Sequence, residues 1–233
     1  GNILLYDALV RAGLSNQNIS IALNTNDAKK REQFAIAILA KQDQQAGVYD
    51  IHLSDTLTLN YKEWSVNEKN MIRIADEGFN VSDFDISNKE QKIAINSSSP
   101  ELNAPVKIEI DDFKLSTITA ALNKDSMLLE GLMNADFTVS DFKQAIPTMD
   151  GTLKLDSILY QQMPVGNIDL KANSNNGTVN VEGKLEGNGN NVDMSGSYNA
   201  NNIDVKVNLN PLVLATVQPF TQGNLTRSSG TIT

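Results

Sequence analysis

The chain has no cysteine among its 233 residues. Disulfide staples, thiolate zinc centres and a cysteine nucleophile are therefore excluded. Its one histidine, His52, lies between Ile51 and Leu53. A catalytic triad or a histidine-rich metal site lacks its usual company here, and the alternation predicts a solvated residue on the wet face of a strand. Positive charge is short as well: the net charge is −9 and the isoelectric point is near 4.6. That balance excludes a basic surface for nucleic acid or anionic headgroups, so no nucleic-acid partner is expected. No run of about 18 apolar residues occurs, so no helix spans a membrane, and no signal peptide is visible. Dinucleotide, P-loop and nucleophile-elbow motifs are missing too.

Carboxylates are plentiful, but their arrangement is not catalytic. Asp111-Asp112, Asp76-Glu77 and Asp83 with Asp85 invite comparison with glycosidase pairs. Adjacent residues on a strand point to opposite faces, however, and each pair fits a turn or an edge. Asn173 to Gly177 lacks the closing acid of a calcium loop and reads as a hairpin turn. The Asn-x-Ser/Thr triplets at Asn80, Asn176 and Asn224 are what chance gives in a chain this rich in Asn, Ser and Thr. Trp64, the single tryptophan, is expected with Tyr61 to anchor a core. No enzyme, catalytic residue, metal or cofactor is implied.

What the chain does have is alternation. From Gly151 to Asn210, apolar and polar residues change places almost without a break. Successive strand side chains point to opposite faces, so each run has one apolar and one wet face. Asn176-Gly177 is the strongest short hairpin signal; Gly187 to Asn190 and Asn199 to Asn202 mark further turns. Together they predict an antiparallel meander. Shorter alternating pieces run from Ile19 to Ile110, and Ala135, Phe137 and Val139 resume the rhythm. Three stretches break it. Gly1 to Gly13 has apolar residues at roughly helical spacing. Ser116 to Asn123 predicts a short helix with Ser116 as N-cap. Pro211 to Phe220 predicts a second, opened by proline.

The fold class expected is all-β: a long antiparallel curved sheet, an open trough with one or two short helical inserts. Residues 1–233 read as one elongated segment, with a soft subdivision near 97–104. The abrupt start, and the strand-like Gly230 to Thr233, predict a piece of a longer protein. The wall of the trough is predicted from Leu153, Leu155, Ile168, Leu170, Val179, Val181, Leu185, Val192, Met194, Ile203, Val205, Val207 and Leu209. The same pattern also serves a β-sandwich in which a second sheet covers these residues. Such a module, secreted or at a cell surface, would bind glycan or protein through loops such as Asn173–Gly177 and Gly187–Asn191. A parallel solenoid would need a fixed repeat near 20–25 residues, which is not found.

The order of short motifs resembles the TamB branch of the AsmA-like envelope proteins. Tyr61-Lys-Glu-Trp64-Ser-Val66, then Asn70-Met-Ile72-Arg-Ile74, is similar to their aromatic-Trp segment. Asp83-Phe-Asp-Ile86 with Gln91-Lys-Ile93-Ala-Ile95 resembles the next pair of strands. Val106 to Leu115, Ile118 to Leu122 and Leu129-Glu-Gly131 resemble a strand, helix and strand unit. Gly166 to Ala172, Met194 to Tyr198, Pro219-Phe220 and Gly223 to Ile232 complete the series. The resemblance covers about Val48 to Thr233, and residues 1–47 fit it less distinctly.

It implies a taco-like trough with an apolar interior, in the periplasm of a Gram-negative bacterium. It also implies a full-length protein anchored in the inner membrane. The implied role is phospholipid transport to the outer membrane and assembly of outer-membrane proteins. The implied partners are phospholipid acyl chains and, through parts outside this chain, a TamA- or BamA-type outer-membrane β-barrel.

Overall fold

The computed structural model describes residues 6–43, 47–122, 129–218 and 229–233. The architecture is all-β, and every described strand pair is antiparallel. Two short helices interrupt it. The chain divides into two compact units, residues 1–111 and 112–233.

The first unit begins with three long strands, β1 (Tyr6–Ser15), β2 (Asn18–Asn26) and β3 (Glu32–Gln42). The helical spacing of residues 1–13 is overridden from Tyr6 onward. Asn16 and Gln17 both adopt left-handed φ, 47° and 65°. That is the conformation of a two-residue hairpin turn, and it sets Leu14 opposite Ile19 and Val10 opposite Leu23. Residues 1–5 lie outside the described set.

β3 then forks. Its later residues pair with β4 (Tyr49–Leu53), and Phe34 and Ala35 pair with β5 (Thr56–Leu59). From β4 the ladder continues to β7 (Met71–Ala75) and β8 (Gly78–Ser82). From β5 it continues to β6 (Lys62–Val66), β9 (Phe84–Asn88), β10 (Gln91–Ser97) and β11 (Val106–Lys114). Leu57 faces Trp64 across β5–β6, and Val66 faces Ile86 across β6–β9. These four are buried, Trp64 completely. Tyr61 is not part of that core: it is exposed, with the Arg31 guanidinium 4.9 Å above its ring. Polar side chains brace the first branch internally at Asn70 and tie it to the second at Ser97. Asn70 is almost wholly buried; its Oδ1 accepts from Leu53 N at 2.7 Å and its Nδ2 donates to the Leu53 carbonyl at 3.0 Å. Val81 N donates to Ser97 Oγ at 3.0 Å.

The loop 98–105 belongs to this core and does not separate units. Buried Asn80 donates to the carbonyls of Ser99 and Glu101 at 2.8 and 2.9 Å, and Asn103 N donates to the Phe79 carbonyl at 2.7 Å. The division falls further on, between Asp111 and Asp112.

The second unit holds helix α1 (Leu115–Leu122) and a six-stranded meander. Its strands are β12 (Leu129–Ser140), β13 (Thr148–Tyr160), β14 (Met163–Asn175), β15 (Thr178–Gly187), β16 (Asn190–Asn199) and β17 (Asn202–Leu209). Neighbours in sequence are neighbours in the sheet, which curves without closing into a barrel. Because α1 starts at Leu115, Ser116 stands inside the helix and does not cap it; Asn123 lies outside the described residues. The second predicted helix shrinks to α2 (Leu214–Val217), preceded by β18 (Leu212–Val213), which pairs with β19 (Thr231–Ile232). Three β-branched residues, Val213, Thr216 and Val217, and the short span to Pro219 favour a single turn. Pro219 and Phe220 lie outside the described residues.

Trp64→Ala is expected to cost the first unit about 3–5 kcal/mol, read by urea unfolding. A loss below about 1 kcal/mol would contradict its place at the centre of that core. In the β2–β3 turn, the Asp27 carboxylate accepts from Arg31 N at 2.9 Å, Lys29 N at 2.8 Å and Arg31 Nε at 2.8 Å. The Arg31 backbone hydrogen bond leads in lowering its pKa from 3.8 to about 2. The turn's stabilisation is therefore complete above pH 3.8 and is lost as pH falls through about 2. An NMR titration of the Asp27 carboxyl carbon checks this; a midpoint at the ordinary value contradicts it.

Candidate functional site

The register of the second unit places all thirteen predicted wall residues on one face of β13–β17. Four rows cross the strands. One reads Leu155, Ile168, Leu185, Val192, Leu209; the next reads Leu153, Leu170, Gly183, Met194, Val207. A third reads Gly151, Ala172, Val181, Gly196, Val205, and the fourth Met149, Ser174, Val179, Tyr198, Ile203. β12 extends the face with Met133, Ala135, Phe137 and Val139. These four and Tyr198 were missing from the predicted wall. The signal for them was the same two-residue alternation, interrupted before β13 by the loop 141–147.

The opposite face is charged, and its charges alternate across the strands. Lys154 stands opposite Asp169, Asp169 opposite Lys184, and Lys184 opposite Asp193; Lys171 stands opposite Glu182. Opposite charges in register stabilise a pairing and penalise a slip by one residue, which would turn the apolar face outward. Lys184 Nζ also lies 2.5 Å from Glu186 Oε1, and that hydrogen bond holds its pKa above the ordinary lysine value.

The two ends of the apolar face differ. At the Val192 end it is covered. Buried Asn190 donates through Nδ2 to the Val165 carbonyl at 2.9 Å and to Thr216 Oγ1 at 2.8 Å; its Oδ1 accepts from Val213 N at 2.8 Å. This clamp holds β18 and α2 down, and Val192 is 4% exposed. Towards the turns Asn176-Gly177 and Ala200-Asn201 the face of β15–β17 is bare. Ile203 is 71% exposed, Val205 67% and Val207 50%.

Within that bare region lies a hollow of about 290 Å³ lined by Leu170, Val179, Val181, Met194, Tyr198, Ile203 and Val205. Its floor is glycine. Gly183 and Gly196 sit on adjacent strands and contribute no side chain. A Cβ on Gly183 would stand 2.6 Å from Leu170 Cδ2 and 3.3 Å from Met194 Cε. A Cβ on Gly196 would stand 3.1 Å from the Asp204 carbonyl.

The first unit carries a second apolar sheet face that sequence reading did not single out. Val10, Ala12 and Leu14 on β1 meet Leu23, Ile21 and Ile19 on β2, which meet Ile36, Ile38 and Ala40 on β3. Val10, Leu14, Ile19 and Ile21 are exposed.

The polar residues weighed in the sequence have structural places. His52 is half-buried rather than solvated; its Nδ1 donates to the Asn70 carbonyl at 2.5 Å, which ties it to the clamp at Leu53. Asn176 is an exposed turn residue with φ 50°, whereas Asn80 is buried with both amide hydrogens used. Among the described residues, no group of three or more His, Cys, Asp or Glu side chains is placed to hold a metal ion. No helix among them is long and apolar enough to cross a membrane. No family model, curated protein or solved structure matches the chain.

Replacing Asn190 by Ala would orphan the Val213 N–H and the Val165 carbonyl in a buried place. Each such loss costs about 1–3 kcal/mol. Chemical denaturation should register a destabilisation of that order, and hydrogen exchange at Val213 should quicken. An unchanged exchange rate would show that Asn190 does not hold the strap.

Proposed function

We propose that this chain is a non-enzymatic, TamB-like segment whose apolar sheet face carries phospholipid acyl chains. The observation that carries the reading is the bare end of β15–β17: aliphatic side chains on one face, in register, left open to solvent over a glycine-floored hollow. Soluble proteins seldom leave a contiguous apolar patch uncovered without using it for binding. A solvent-exposed acyl chain costs about 0.8 kcal/mol per CH₂, on the order of ten kcal/mol for a full tail. A smooth aliphatic surface removes much of that cost along its length without fixing the chain at one point. Such a surface needs no catalytic group and no polar specificity group; the hollow is lined mainly by aliphatic side chains and glycine, with Ser195, Ser197 and Asp204 also lining it.

The setting that fits is the periplasm of a Gram-negative envelope, with the longer protein anchored in the inner membrane. Acyl chains would pass towards the outer membrane, where a TamA- or BamA-type β-barrel is engaged by parts of the protein beyond this chain. The motif order described above supports that setting. The surplus of acidic residues supports carriage by the tails, since anionic headgroups gain nothing from a surface of this sign.

The test is photo-crosslinking with a phospholipid bearing a diazirine on one acyl chain. Adducts should map to peptides containing Val181, Tyr198 and Val205. Val181→Asp and Val205→Asp should abolish them while the circular dichroism of the sheet is retained. Labelling that persists in both variants, or that falls on the charged face, would remove the proposal.

A further inference from the structure

We infer that β17 is a self-complementary edge through which two copies of this chain pair across a two-fold axis. Among the described residues β17 pairs on one side only, with β16. Asn202 to Asn208 are all exposed, so none of the described residues covers the other side. Asn199 and Asn202 close the two-residue turn Ala200-Asn201. In an antiparallel ladder, backbone groups point alternately to the two neighbours. If the turn closes on a hydrogen-bonded pair, as tight hairpins do, Asn202, Asp204, Lys206 and Asn208 bond to β16. Ile203, Val205 and Val207 then offer their N–H and C=O groups outward.

A strand that pairs with its own copy can set the two-fold axis on an outward residue, as a hydrogen-bonded self-pair, or on an inward one, as a non-hydrogen-bonded self-pair. An axis on Asp204 or Lys206 sets like charges face to face, and one on Asn202 or Asn208 pairs little of the strand, which leaves the three outward residues. Centred on Val205, Ile203 faces Val207 of the second copy, and Asp204 faces Lys206, twice over by symmetry. Centred on Ile203 or Val207, neither charge meets its opposite. A lone lysine on an edge ordinarily discourages pairing. Here the aspartate two residues away answers it, but only across the axis. Within the chain Asp204 stands opposite Ser197 and Lys206 opposite Ser195, and neither makes an ion pair among the described residues. The pairing keeps both apolar faces on the same side, because Val205 meets Val205. The occupant of this edge is thus a second copy, and the inference does not depend on what the apolar face carries.

The absence of native cysteine makes the test clean. Paired Cα atoms across a hydrogen-bonded site are about 5.5 Å apart, inside the 4.4–6.8 Å range a disulfide accepts. Val205→Cys should therefore form a disulfide-linked dimer at least about tenfold faster than Ile203→Cys, whose symmetry mates would be more than about 13 Å apart. Light scattering should give twice the 25.4 kDa chain mass for the unmodified chain at high concentration. Asp204→Lys and Lys206→Asp should each give the single-chain mass, and their equimolar mixture should return to twice that mass. Equal crosslinking of the two cysteine variants would overturn the inference. So would charge variants that fail to complement, or open-ended oligomers in place of a closed dimer.

Discussion

Everything in this structure depends on keeping a two-residue period in register over many strands. A slip by one residue exchanges the apolar and charged faces of a strand. The chain guards against it with tight turns whose residues sit in left-handed conformations. Asn176 and Gly177 have φ of 50° and 73°, and Asn188 and Gly189 have 52° and 82°. Gln161 and Gln162 take the same conformation without glycine. The alternating lysines and acids of the outer face add a second check on each pairing.

The two units use the same strand chemistry to different ends. In the first, β3 splits, and the branches that leave it bury Leu57, Trp64, Val66 and Ile86. In the second, the described meander does not fork. Among the described residues, the strap from Pro211 to Val217 covers the Val192 end, held by the three hydrogen bonds of Asn190. The remainder of the face on β15–β17 is left exposed. That exposure also makes an outward edge strand such as β17 consequential.

The meander was legible because its code is local. Alternation and tight Asn- and Gly-containing turns place the apolar residues from Leu153 to Leu209 on one face without any knowledge of distant contacts. The rest failed where local pattern and long-range pairing disagree. Residues 6–13 look helical by spacing, yet the turn at Asn16-Gln17 commits them to a hairpin with β2. The fork of β3 could not be read, since it depends on which half of one strand meets β4 and which meets β5. The loop 98–105 looked like a linker by composition, but Asn80 and Asn103 bind its carbonyls and amides into the core. The hollow was hidden for another reason. Gly183 and Gly196 break the apolar rows in sequence, and only pairing shows that the two gaps lie diagonally adjacent, Gly183 opposite Met194 and Gly196 opposite Val181.

The central claim is that the bare face of β15–β17, and not the charged face behind it, receives acyl chains. Paramagnetic relaxation enhancement with a phospholipid spin-labelled on its tail tests it residue by residue. The account predicts strong broadening of the Val181, Ile203, Val205 and Val207 methyl signals, with the side chains of Glu182, Asp204 and Lys206 spared. Broadening on both faces alike, or none at any of these residues, would contradict it.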